Sequence, residues 1–96
     1  MKYDHLDLNQ RVRLAEIGNK DTLDELVYDS DYRVRELVAN HGYRKHLNIL
    51  IKDPHPTVRG EVAGCGHKQD LEILINDEND EVMRFATKIL NEKNGD

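Results

Sequence analysis

A repeat of 24 residues, running without insertion or deletion, constrains this chain more than any other feature. Valine recurs at Val34, Val58 and Val82, and aspartate at Asp29, Asp53 and Asp77. Leucine recurs at Leu23, Leu47 and Leu71 and again at Leu26, Leu50 and Leu74. Glycine stands at Gly18, Gly42 and Gly66, and arginine at Arg11, Arg35 and Arg59. A unit this short cannot close a core alone, so stacked neighbours must complete one another. The 96 residues then read as a single domain over 1–96, with units at about 5–28, 29–52, 53–76 and 77–96.

Within the unit 29–52, Asp29, Ser30 and Asp31 supply turn and N-capping groups. Val34, Leu37, Val38 and His41 follow at helical spacing. Gly42 ends that helix, because glycine readily takes the left-handed conformation. A second short helix is expected from about Lys45 to Lys52, with Leu47, Leu50 and Ile51 inward. A strand is the alternative for this segment, but the same spacing returns at Leu71, Leu74 and Ile75 and favours a helix. Pro54 and Pro56 mark the entrance to the next helix. Gly60, Gly64 and Gly66 weaken it intrinsically. They either loosen the segment or let units pack closely, and the small residues Ala39 and Ala63 favour close packing.

The terminal units depart from the pattern as caps should. Gln10 stands where Val34 stands, and His5 stands in the place of Asp29. Leu90 replaces Gly66, so the last helix need not stop early, and 91–96 should fray. The expectation is an all-α fold: about eight short helices in four pairs, forming a small right-handed alpha solenoid. Some second helices should be single turns or 3₁₀-like.

The run V-R-x-x-V-A, a leucine pair and then D-x-x-x-x-V-R resembles the leucine-rich repeat variant family. The residues are Val34, Arg35, Val38 and Ala39, then Leu47, Leu50 and Asp53, then Val58, Arg59, Val62 and Ala63. The pattern is also similar to HEAT-like repeats, including the short units of phycobiliprotein-lyase-like proteins, although the 24-residue period favours the first family. The resemblance implies a helix alternating with a shorter 3₁₀ helix, and an interaction scaffold. The family's Asn-Pro turn is missing, with Asn40-His41-Gly42 and Gly64-Cys65-Gly66 near its place. An iron–sulfur domain with clustered cysteines occurs in the family, but one cysteine cannot reproduce it. No cofactor is therefore expected, and no lyase residue can be matched.

Composition narrows the function classes. Fourteen basic and 19 acidic residues give a formal net charge of −5, which opposes an extended phosphate-binding surface. Cys65 is the only cysteine, which excludes an intrachain disulfide and a zinc ribbon. The first residues carry no apolar signal-peptide core, and no run is long enough to span a bilayer. Cytoplasmic residence without a membrane partner is the expectation.

The repeated charges form candidate columns. Arg11, Arg35 and Arg59 should make a ladder along one face, with Asp29, Asp53 and Asp77 as a second ladder at the inter-unit turns. Pairing between them would fix one unit on the next. Alternatively, the arginines grip an acidic partner or, with Arg13, Arg33, Arg44 and Lys45, nucleic acid. The acidic run 77–81 and the lack of interleaved aromatics disfavour nucleic acid. That run caps the last helix or, alternatively, recognises a basic partner.

His41 and Cys65 are equivalent, with His67 close by; a soft-metal site is weighed against ordinary helix-end residues, and no metal site is nominated. His5, His46 and His55 read as surface or turn groups. Tyr3, Tyr28, Tyr32 and Tyr43 are either interface anchors or the rim of the core. The carboxylates nominate no acid–base pair, and no catalytic motif is present. The sequence thus reads as a non-enzymatic module binding another protein, with Tyr32, Arg35, Tyr43 and Arg59 as candidate partner residues. Nucleic-acid binding, or an accessory role in an enzyme system, is the alternative.

Overall fold

A computed structural model describes residues 2–95. Seven α-helices account for its regular structure: α1 (Leu8–Ile17), α2 (Lys20–Leu26), α3 (Tyr32–Asn40), α4 (Arg44–Leu50), α5 (Pro56–Gly64), α6 (Lys68–Leu74) and α7 (Asp80–Lys93). No strand occurs among the described residues. Helix starts recur in register: Leu8, Tyr32, Pro56 and Asp80 open the odd-numbered helices, and Lys20, Arg44 and Lys68 open the even-numbered ones.

Local chemistry sets these boundaries. Asp7, Asp31, His55 and Asn79 stand at equivalent N-caps, and each side chain accepts a backbone N–H of the first turn. At Asp7 this is a full capping box with Gln10. Asp31, not Asp29, therefore caps α3. Asn19 caps α2 in the same way, whereas Tyr43 and His67 stand at the equivalent place without a side-chain cap bond. Gly18, Gly42 and Gly66 have φ of 77°, 79° and 76° and turn the chain between paired helices. At Gly18 a Cβ would also run into the His41 ring.

Seven helices replace the expected eight. In the last unit Leu90 stands where Gly66 stands, and leucine does not enter the left-handed region cheaply. The helix runs on, so α7 has 14 residues against nine in α3 and α5. It includes Asn91 to Lys93, part of the segment expected to fray; Asp96 lies outside the described residues. The second helices are short, with seven residues each, but α-helical. Three-residue closures stand at their ends, as in His46 N–H to Tyr43 O at the entrance of α4 and Asp53 N–H to Leu50 O at its exit.

The core follows the repeated positions. Leu23, Leu26, Val34, Val38, Leu47 and Val58 are fully buried, as are Ala15, Ala39 and Ala63. Burying each such leucine or valine contributes roughly 1.5–3 kcal/mol. Helix α1 packs on α3, α3 on α5 and α5 on α7, while α2, α4 and α6 each fill the joint between two neighbours. The molecule measures 46 × 22 × 18 Å. No helix among the described residues is long and apolar enough to cross a membrane.

Candidate functional site

The repeated arginines lie near the starts of α1, α3 and α5 and extend their guanidinium groups to the turns between units. Arg59 donates from Nε and Nη2 to Asp77 at 2.8 and 3.0 Å, and from Nη1 to the Asp53 carbonyl at 2.7 Å. Arg35 repeats this with Asp53 at 2.7 and 3.1 Å and the Asp29 carbonyl at 2.7 Å. Arg11 reaches Asp29 at 2.8 Å and the Leu6 carbonyl at 2.7 Å. Each aspartate also accepts the N–H two residues on, from Asp31, His55 or Asn79, at 2.9 Å. One carboxylate thus shapes the turn before a helix and holds the preceding unit's guanidinium.

These groups are largely withdrawn from solvent: the Arg35 and Arg59 side chains are 14% and 10% exposed. The bond from Arg59 holds the Asp77 carboxyl below its usual range, and the carboxylates raise the pKa of Arg35 and Arg59. Tyr32 and Tyr43 lie elsewhere. Tyr32 opens α3 and stacks on His55 at 3.7 Å with an interplanar angle of 2°. Tyr43 follows α3, meets His46 edge-on at 5.7 Å and has the Lys20 ammonium 5.4 Å from its ring centre. About 13 Å of α3 therefore separates the tyrosines. Of the four candidate residues, Arg35 and Arg59 are committed to internal aspartates and carbonyls, and Tyr32 and Tyr43 flank α3.

His41 and Cys65 play equivalent parts. His41 donates from Nε2 to the Ala15 carbonyl at 2.6 Å, and Cys65 donates from Sγ to the Ala39 carbonyl at 3.2 Å. Burial pushes the Cys65 thiol up, with Glu61 and Asp70 adding to the effect. His67 begins α6 on the exposed surface. Among the described residues, no group of three or more His, Cys, Asp or Glu is placed to hold a metal ion.

A second polar row was not visible in the sequence. His46, read as a surface or turn group, is fully buried and pairs through Nε2 with Asp24 at 2.7 Å. Lys45 joins the same carboxylate at 3.3 Å. The bond from His46 holds Asp24 below its ordinary range, opposed by burial and helped by Lys45. Arg44 grips both oxygens of the buried Asp70 at 2.8 and 2.7 Å. The signal was the register of Thr22, His46 and Asp70, each directly before a repeated, buried leucine.

A groove of about 340 Å³ crosses α3, α5 and α7. Its lining includes Glu36, Gly60, Glu61, Glu81 and Phe85. Gly60 occupies the register of Glu36 and Arg84, and a Cβ there would meet nothing within 4 Å. The close packing expected of these glycines is thus absent at Gly60, where the missing side chain opens space instead. At Gly64 a Cβ would stand in ordinary contact with the Phe85 ring, at 3.6 Å. Burial raises the Glu36 pKa, and Glu61 reinforces the shift, while His55 acts against it. Glu61 accepts a bond from Asn40 at 2.9 Å.

No family model matches the chain, and no curated protein or solved structure is detectably similar to it.

Proposed function

We propose that this chain is a non-enzymatic protein-binding or assembly module of the cytoplasm. Its 24-residue units stack as a right-handed alpha solenoid like those of the leucine-rich repeat variant proteins. Paired helices start in constant register, and each guanidinium joins consecutive turns, which supports that architecture. The partner is another protein. Commitment of the repeated guanidinium groups to internal aspartates and carbonyls carries this reading. It removes the obvious phosphate-binding stripe and leaves recognition to residues that differ between units. Tyr28, Tyr43 and Phe85, exposed by 66%, 39% and 44%, are such residues. Partly exposed aromatics make good interface anchors.

Photoreactive phenylalanine placed singly at positions 28, 43 and 85 tests the reading in lysate of the source cell. Discrete protein adducts, competed away by unmodified chain, are expected from at least one position. Adducts lost on nuclease treatment, or no adduct from any position, would overturn it.

A further inference from the structure

We propose that the groove across α3, α5 and α7 is the recognition site for an arginine side chain presented by the partner protein. This deepens the protein-binding reading and rests on it. Three features converge. First, the groove exists because α5 is bare at Gly60, so its floor lies open. Second, carboxylates come from all three helices: Glu36 from α3, Glu61 from α5 and Glu81 from α7. The Glu36 carboxylate makes no hydrogen bond or salt bridge to any described residue and is partly withdrawn from water. A cation entering the groove would relieve both desolvation and repulsion from Glu61.

Third, the Phe85 ring lines the groove and remains 44% exposed. A flat ring beside carboxylates suits a guanidinium better than an ammonium, because arginine stacks on aromatic faces while its fork pairs with carboxylates. About 340 Å³ is at the small end of ligand pockets, a size for one long side chain. Phosphate groups would meet three like charges there, which directs the site away from nucleic acid. Against burial and Glu61, which raise the Glu36 pKa, His55 acts to lower it.

Two measurements decide the matter. The first titrates isotope-labelled protein with a blocked pentapeptide, one arginine flanked by alanines, and with its citrulline counterpart, which keeps the shape without the charge. Saturable amide shifts at Gly60, Glu61 and Phe85 are expected with arginine and not with citrulline. Glu36→Gln should weaken binding about tenfold. Equal shifts with both peptides, shifts confined to other surfaces, or none up to roughly 10 mM peptide would overturn the proposal.

The second places the ligand on the chain itself. Position 60 is open, and Pro56, Thr57, Ala63 and Gly64, one turn away along α5, carry no charge. Gly60→Arg should melt about 4 °C above Gly60→Gln at low salt, with Gly60→Glu lowest. The differences should shrink in high salt, and Gly60→Arg should no longer bind the peptide. Identical melting of the three variants, or undiminished peptide binding by Gly60→Arg, counts against the groove. Adducts that persist from position 28 or 43 while these tests fail would reject the groove alone. Loss of all adducts would reject the protein-binding reading as well.

Discussion

Arg59→Met is the sharpest perturbation of the inter-unit turns, because Met83 already occupies the equivalent place on α7. Methionine fills similar space but donates nothing. The change removes two bonds to Asp77 and one to the Asp53 carbonyl. The two side chains are only 10% and 6% exposed, so water replaces the lost partner poorly. Breaking a buried pair on one side costs about 3–5 kcal/mol. Asp77 keeps the Asn79 N–H, which places the expected loss near the lower figure, about 3 kcal/mol. For a domain this size that is a fall of roughly 12–24 °C in melting temperature. Urea and thermal unfolding followed by circular dichroism measure it.

The partner variant, Asp77→Asn, and the double variant complete a cycle. Asparagine retains an oxygen for the Asn79 N–H and removes the stranded charge. The double variant should therefore recover about 1–2 kcal/mol relative to Arg59→Met alone. Acid adds an independent check. The folded pKa of Asp77 lies below its unfolded value, so its contribution is complete above about pH 4 and disappears as pH falls through the folded value. Wild type and Arg59→Met should converge in stability below that pH. A cost under about 1 kcal/mol at neutral pH, as for an exposed pair, would refute the reasoning.

Other outcomes follow from the same geometry. Arg33 holds the Asp31 carboxyl down at about 2, so the α3 cap should survive mild acid and fail as pH drops from about 4 toward 2, an order checked by amide resonances of Tyr32 to Val34. Asp24→Ala should cost about 1–3 kcal/mol by orphaning the buried His46 Nε2, whereas His46→Leu should be close to neutral, because Nδ1 already lacks a partner among the described residues; chemical denaturation separates the two. Gly66→Ala should destabilise by about 1–2 kcal/mol, since its φ of 76° strains any L side chain. Cys65 should alkylate more slowly at neutral pH than an exposed cysteine and accelerate only well into alkaline solution, as timed iodoacetamide labelling would report.

The all-helical character and the inward leucines and valines were legible because helical spacing and the 24-residue period agree. Glycine against leucine at positions 66 and 90 announced that the last helix need not stop early, though not that it would run on to Lys93. Polar groups were harder to place. His46 is buried because it shares a column with Thr22 and Asp70, and its partner Asp24 lies in another unit. Periodicity assigns a column but not which columns meet. The setting of the tyrosines was not legible either: Tyr32 and Tyr43 are near in sequence, yet α3 lies between them and each meets a different histidine. Gly60 had two possible meanings, and only the position of its neighbours distinguishes a gap from a contact.

The clamps also bear on how the chain reaches this structure. Arg11, Arg35 and Arg59 each reach an aspartate 18 residues ahead, and Arg44 reaches one 26 residues ahead. Such short closures lose little loop entropy and place the protein among fast folders, on a timescale of about microseconds to milliseconds. Asp29 already meets Arg11 before Asp53 is needed for Arg35. The amino-terminal helices can therefore lock together on the ribosome while the residues that will cover α5 are still being made.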